Sequence, residues 1–249
     1  MWAITPLRVC CVLLAIVLAG CERGVTSVDE IIEKNTNAMG GRAAIEAINS
    51  IQVNLHIVDP TFEVDGVYHA VRPGRMRIDV TAAGKHVYTE AFNGERAWQW
   101  KGEGEPVPEN AQATAALRHG VELPGTLFGL HELRQRGHQV TLVGRKKVDG
   151  VNYYVLRITL ADGYNTTLYV DPKSWLITRR RDVRPLHPDV DPRPTTIEIK
   201  SVDFRRVAGV NFGFSRTDTD LATGKVLERT TITGITINPD VAPAIFDKL

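Results

Sequence analysis

Cysteine is nearly missing from this sequence of 249 residues, which contains three cysteines and none after Cys21. Disulfides stabilise many exported domains that are too small to build a sufficient core. Cys10 and Cys11 lie within the apolar N-terminal segment, so only one thiol remains beyond residue 20 and no disulfide pair is available there. The fold must therefore be held by a hydrophobic core, for which the chain is long enough.

Long hydrophobic runs and an excess of one charge are missing as well. The apolar core of the N-terminal segment, residues 9–18, is about half as long as the roughly 20 residues that a membrane-spanning helix needs. Lysine and arginine number 30 against 29 aspartates and glutamates. A neutral chain has no electrostatic reason to bind nucleic acid, and we expect no nucleic-acid partner.

The N-terminal segment has the organisation of an export signal. Arg8 is the only charge before the apolar core, and the small residues Ala19 and Gly20 come after it. Cys21 is next, and "LAGC" resembles the lipobox of bacterial lipoproteins, in which the cysteine is acylated and the chain is cut before it. The alternative is an ordinary cleavable signal with a cysteine at its junction.

The lipobox interpretation predicts three regions. Residues 1–20 are the lipoprotein signal peptide, residues 21–26 the lipidated Cys21 with a short tether, and residues 27–249 a single domain. The protein would be anchored in the bacterial envelope by lipid. Glu22 stands where the inner-membrane retention signal of enterobacteria has aspartate, which favours the outer membrane, facing the periplasm.

Helical patterns begin directly after the tether. Ser27 and Glu30 have the spacing of a capping box, and the apolar stripe behind them ends at Gly40 and Gly41. A second, short helix is predicted over residues 44–48.

The middle of the chain also has helical spacing. Residues 108–123 predict one helix, and residues 124–137 predict another with leucines along one side, Leu127, Leu130 and Leu133.

Most of the remaining chain alternates apolar and polar residues, as strands with one buried face do. Residues 51–57 are the clearest example, and turn sequences such as "NGE", "VDGV" and "ADGY" separate the segments. We expect a mainly β fold with helices (α+β), in which a large, curved, unclosed antiparallel sheet forms a half-barrel and helices cover its concave face. The further strands are predicted at residues 62–72, 75–80, 85–92, 96–100, 139–146, 151–160, 164–170, 175–181, 195–204, 210–216 and 226–233.

Several stretches in this order resemble the outer-membrane lipoprotein-sorting proteins of the LolA/LolB superfamily. They are the helix ending in "AMGG", the hairpins of "VGRKKVDGVNYYVLRITLADGYNTTLYVDPKSWLITRR" and the ending "TITGITINPDVAPAIFDKL". The resemblance implies an unclosed curved sheet whose concave side is plugged by helices and holds acyl chains or other lipids. The lipobox makes the chain similar to the anchored members rather than to the soluble carrier.

Apolar side chains are candidates to line such a cavity. Trp98 and Trp100 lie two residues apart on one predicted strand and share a face, as do Phe212 and Phe214. The alternative is that these aromatic residues are ordinary core residues. The full candidate set is Met76, Ile78, Trp98, Trp100, Leu127, Phe128, Leu130, Phe212 and Phe214.

Motifs for catalysis or metal binding are lacking. "HELRQ" at His131 has Gln135 where a zinc-protease helix has its second histidine, which leaves a histidine on a helix surface. "DVD" at 189–191 and "DTD" at 218–220 are interpreted as solvated loop charges, and "RRR" at 179–181 as mainly solvated bases. We expect no catalytic residue, metal or cofactor, and therefore no enzyme.

Two functions are compatible with these patterns. In the first, the anchored protein binds a lipid or a lipoprotein acyl chain for transfer, sorting or sensing. In the second, the interior is simply packed and the protein acts through its surface on other envelope proteins.

Overall fold

A computed structural model describes residues 27–185 and 193–247. Cys21, the predicted signal peptide and the "DVD" stretch at 189–191 lie outside these residues. Within the described ranges, no helix combines the length and the apolar character needed to cross a membrane.

The described residues form one antiparallel sheet of thirteen strands whose two ends do not meet. The strands are β1 Ser50–Val58, β2 Glu63–Val71, β3 Arg75–Ala82, β4 Lys85–Phe92, β5 Ala97–Trp100, β6 Val107–Pro108, β7 Gln139–Val148, β8 Val151–Thr159, β9 Asn165–Val170, β10 Ile177–Arg184, β11 Thr195–Val207, β12 Val210–Asp220 and β13 Val226–Ile237. Their order in the sheet is β6-β5-β4-β3-β2-β1-β13-β12-β11-β10-β9-β8-β7, so the first and last strands in the sequence pair with each other in the middle of the sheet. The predicted curved half-barrel is confirmed.

The two edges of the sheet differ from its central strands. At one edge, β6 has two residues, of which Pro108 lacks a backbone N–H donor. At the other edge, the β7 register shifts between Leu142 and Gly144, and exposed basic residues come after the shift. An open sheet therefore ends here in strands that are short, irregular or charged.

Three α-helices occur among the described residues: α1 Val28–Met39, α2 Arg42–Glu46 and α3 Ala111–Glu122. The hydroxyl of Ser27 accepts the Glu30 N–H at 3.1 Å and caps α1, as the spacing predicts. The side chain of Asn110 caps α3 in the same way, accepting the Ala113 N–H at 2.8 Å.

Gly40 ends α1 with φ of +129° at a point of very close approach to β12. A Cβ atom there would lie 2.1 Å from the carbonyl oxygen of Gly209, whereas a Cβ at Gly41 would meet no atom within 4 Å. Glycine at position 40 is therefore required both by the backbone conformation and by the packing of α1 on the sheet.

The prediction of a second mid-chain helix over residues 124–137 is wrong. Leu123 is extended because it precedes Pro124, and Gly125 has a φ of +126°. Residues 124–137 instead form a compact turn, the mid-chain turn, which contains a single 3₁₀ segment, Leu130–Glu132. The leucine spacing nevertheless reports burial, because Leu127, Leu130 and Leu133 are almost fully buried.

Two apolar clusters make up most of the core. One lies under α2 and α3 against β1–β5, β12 and β13, and includes Ile51, Met76 and Phe212. The other joins α1 and the mid-chain turn to β7–β9, and includes Ile31 and Leu156. Between them lies the concave part of the sheet that the helices do not fill.

Candidate functional site

A cavity of about 530 Å³ lies between the concave face of the sheet and a cover made by α3 and the mid-chain turn. Its volume is in the range of small-ligand sites. The lining is mostly apolar, from strands β1–β3 and β13 below and from α3 above, and includes Val53, Leu55, Tyr68, Leu117, Ile232 and Ile235.

Five of the predicted residues line this cavity: Met76, Ile78, Phe128, Leu130 and Phe212. Leu127 and Phe214 are buried in the adjoining apolar cluster and do not reach the cavity wall. The structure thus brings five of the candidates together around the cavity and leaves two in the packed core beside it.

Trp98 and Trp100 lie on the other face of the sheet. Trp98 pairs with Ala91, which pairs with Arg77, whereas the cavity residue Met76 pairs with Phe92. Directly opposed residues share a face, so Trp98 faces away from Met76. Its indole N–H donates to the carbonyl oxygen of Phe246 at 3.1 Å, beneath the C-terminal 3₁₀ turn, Pro243–Phe246.

The expected interior position of the two tryptophans is thus corrected. This part of the sheet is covered on both sides, by α3 on one face and by the C-terminal turn on the other. Apolar residues consequently occur on both faces of β5, and their alternation does not distinguish the cavity side.

Arg72 fastens the mid-chain turn to the rest of the protein. Its guanidinium donates to the carbonyl oxygens of Ile48 at 2.6 Å and Leu127 at 2.9 Å, and forms a two-point ion pair with Glu132. Burial alone would raise the pKa of Glu132, but the hydrogen bonds from Arg72 and the Gly129 N–H outweigh it and lower that pKa. The carboxylate is therefore charged and fully engaged under the turn.

The C-terminal part of α3 is held against the β8–β9 hairpin. Arg118 and His119 both reach Asp162 in the β8–β9 hairpin, His119 at 2.7 Å, and the His119 ring stacks on Tyr164. Burial would raise the pKa of Asp162, but the hydrogen bonds from His119 and from the Tyr164 N–H outweigh it and lower it to about 2.

Charged residues occupy the cavity wall on β10, β12 and β13. Arg180 and Arg216 line the cavity, together with Glu228. The Arg180 Nε lies 2.9 Å from Asp182, and Arg216 forms a two-point ion pair with Asp218. Both aspartates are almost completely buried.

Burial and the neighbouring groups have opposite effects on the pKa of Asp182. Burial would raise it, but the neighbouring Arg180 cation and the hydrogen bond from Thr166 lower it. The pKa of Arg216 is raised, since the opposing effect of burial is outweighed by Asp218. Asp182 and Arg216 therefore remain ionised, although the aspartate is almost completely buried.

No family model and no curated protein matches this sequence. The structure is similar to that of a LolA superfamily protein from Nitrosomonas europaea, with 16% identity, a TM-score of 0.54, and coverage of 89% of this chain and 98% of that one. It is also similar to a DUF1329 family protein from Desulfovibrio piger, with 11% identity, a TM-score of 0.59 and coverage of 89% and 98%. A third similar structure, from Vibrio parahaemolyticus, is described as an outer membrane lipoprotein-sorting protein domain, with 10% identity, a TM-score of 0.55 and coverage of 88% and 95%.

The chain has a LolA-like fold. The expected resemblance is confirmed at the level of fold. At these identities the likeness concerns the fold alone, so the ligand of this protein has to be inferred from its own cavity.

The charged wall, formed by Arg180, Arg216 and Glu228, is the part of the cavity that the sequence did not predict. The sequence predicts Asp218 in a solvated loop, but it is buried within β12. In the "RRR" stretch, Arg179 and Arg180 both line the cavity. The guanidinium groups of Arg179 and Arg181 pair with Glu198, whereas that of Arg180 pairs with Asp182. The sequence shows that the three arginines alternate between the two faces of a strand, but it does not show which face is concave.

The "HELRQ" histidine is also placed differently from expectation. His131 is buried rather than on a helix surface, with its Nδ1 3.3 Å from the Thr36 hydroxyl. Burial lowers its pKa. Among the described residues, no group of histidine, cysteine, aspartate or glutamate has the arrangement of a metal site.

Proposed function

We propose that this protein is a lipid-binding protein of the bacterial envelope, which holds an acyl chain of a lipid or lipoprotein in the cavity of its curved sheet. The observation that carries the proposal is the mostly apolar cavity of about 530 Å³ beneath a separate cover. A packed interior would have no such space, because protein cores contain few voids larger than a water molecule.

The apolar wall supplies enough free energy for binding without any polar motif. Each methylene group removed from water contributes about 0.8 kcal/mol, so a sixteen-carbon chain gains about 12 kcal/mol before ordering costs. The fold similarity to a lipoprotein-sorting domain is consistent with such a ligand. Transfer, sorting or sensing would each use this same site, and none of them requires catalysis.

We further propose that Cys21 carries a lipid anchor and that residues 27–249 form one domain held at the outer membrane, facing the periplasm. The support is the lipobox sequence "LAGC" and the glutamate directly after it. An anchored protein with an acyl-chain cavity would meet its ligand at the membrane surface.

Binding can be tested with delipidated protein and a fluorescent sixteen-carbon fatty acid analogue. We expect saturable binding, and we expect Ile78→Glu to reduce the affinity by more than 100-fold, because a charge in an apolar pocket costs several kcal/mol. Ile78 is only partly buried, so the strand should tolerate the change better than a core position would.

The matched control is Val202→Glu, since Val202 lies on β11 with 43% of its surface exposed. Its affinity should equal that of the unmodified protein. If the delipidated protein binds no acyl ligand, or if both variants bind equally well, the cavity is not a lipid site. The second function, action on envelope proteins through the outer surface, would then be favoured.

A further inference from the structure

We infer that the cavity selects an amphiphile with an anionic head group, a carboxylate or a phosphate, which is held by Arg180 and Arg216 while its acyl chain lies in the apolar part. This inference rests on the proposed lipid-binding function and specifies the chemical class of the ligand.

The two ends of the cavity, along the direction of the strands, differ in character. The helix α1 approaches the start of β12, where Asn211 donates to the Ala38 carbonyl oxygen at 2.7 Å. At that end the cavity is lined by Ile51, Met76 and Ile235. Arg216 lies in the last part of β12, so the charged wall is at the opposite end of the strands. An apolar end and a charged end are what an amphiphile requires.

The cations of the charged wall face the cavity more than their counter-ions do. The side chains of Arg180 and Arg216 are 21% and 40% exposed, whereas those of Asp182 and Asp218 are 0% and 2% exposed. Neither aspartate lines the cavity. At this wall the guanidinium groups of Arg180 and Arg216 therefore face the cavity, and the carboxylates of Asp182 and Asp218 do not.

Both guanidinium groups retain unused donors among the described residues. Arg180 contacts Asp182 through its Nε, and its terminal nitrogens donate no hydrogen bond to the described residues. Arg216 gives its Nε and Nη2 to Asp218, which leaves Nη1. Terminal guanidinium nitrogens are well suited to carboxylate and phosphate oxygens.

Two acidic side chains also line the cavity. Glu228 accepts the Thr230 hydroxyl at 2.8 Å, and Glu90 lies across the cavity on β4. A third arginine, Arg184, lies behind the wall, and its pKa is lowered by burial and by the nearby Arg180 cation. An added anion would relieve this repulsion between cations.

The test compares ligands of one chain length at pH 8: hexadecanoate, hexadecyl phosphate and uncharged hexadecan-1-ol, each competing with a fluorescent acyl probe on the delipidated full chain. We expect both anions to bind at least tenfold more tightly than the alcohol. Arg180→Gln should remove most of that advantage and change the affinity for hexadecan-1-ol much less, while Arg180→Lys should retain part of the advantage.

Arg181→Gln is the matched control, because Arg181 is the next residue on β10 but faces the other side of the sheet and pairs with Glu198. Its preference for anions should equal that of the unmodified protein. If Arg180→Gln does not fold because Asp182 loses its partner, the double variant Arg180→Gln/Asp182→Asn removes both charges together.

Three results would overturn the inference. Equal affinity for the alcohol and the anions would leave lipid binding intact and remove the head-group preference. Displacement of the probe by millimolar acetate or inorganic phosphate would show a site for free small anions. Failure of all three ligands to bind would overturn the lipid-binding function as well.

Discussion

Arg72 and Glu132 form an ion pair across 60 residues of sequence, with 2.5 Å between Nη1 and Oε1, and this pair holds the turn that covers the cavity. The Glu132 side chain is 8% exposed and the Arg72 side chain is 22% exposed. Charge pairs shielded to this degree leave a costly unpaired charge when one partner is removed.

We therefore expect Glu132→Gln to lower the free energy of unfolding by about 3 kcal/mol, measured by urea denaturation. The control is Arg134→Gln, which removes an exposed pair with Asp29 in the same turn and should cost less than about 1 kcal/mol. Equal losses for the two variants would show that Glu132 does not fasten the cover.

Asp162 should control how often α3 opens. In Asp162→Asn, the contacts with Arg118 and His119 lose their charge, and we expect amide exchange in residues 111–122 to become faster while β1 and β13 are unaffected. Asp220→Asn is the control, because Asp220 accepts the Ala222 N–H in a different hairpin. Equal acceleration in both variants would argue against an α3 latch.

The same contact has a defined pH dependence. Because the pKa of Asp162 is about 2 in the folded state and 3.8 ordinarily, its stabilisation is present above the ordinary pKa and is lost as the pH falls through about 2. The stability difference between the unmodified protein and Asp162→Asn should be about 1 kcal/mol at pH 6 and vanish near pH 2. A difference that is constant with pH would contradict this origin.

The glycine pair after α1 allows backbone strain to be separated from steric overlap. Both positions have positive φ, but a Cβ would overlap with Gly209 only at position 40. We expect Gly41→Ala to lower the free energy of unfolding by about 1 kcal/mol and Gly40→Ala by more than about 3 kcal/mol. Similar losses in the two variants would mean that α1 can move away from β12 freely.

Cys21 offers a direct test of the anchor. Cys21→Ser should prevent acylation and leave the precursor uncut before residue 21, because the lipobox reaction uses the cysteine thiol. Mass spectrometry and detergent phase partition measure the two effects. A serine variant that remains lipidated would disprove the predicted anchor.

Strand positions were predictable from the sequence because alternation depends on local contact with water on one face. The pattern of residues 51–57 indicates such a strand, and the structure has β1 there. The Ser27 cap of α1 was likewise predictable, since a cap depends on neighbours within three residues.

Features that depend on distant elements could not be predicted in this way. Trp98 faces away from the cavity and is covered by the C-terminal turn, which lies about 150 residues later in the sequence. The cavity position of Arg180 was not predicted, because a strand in a sheet usually has an apolar buried face and a polar face in water. Here the concave face of the sheet is itself partly charged. In residues 124–137, the leucine spacing indicated burial, but Pro124 and Gly125 ruled out the regular helix.

The two edges of the open sheet bear on how copies of the protein meet each other. An unclosed sheet exposes backbone donors and acceptors that can recruit a strand from a second molecule and begin aggregation. Here one edge is only two residues long and contains Pro108, and the other has a register shift with Arg145, Lys146 and Lys147 directly after it. Like charges brought together and missing donors both oppose such pairing, so the protein can keep its half-barrel open without offering a template for polymerisation.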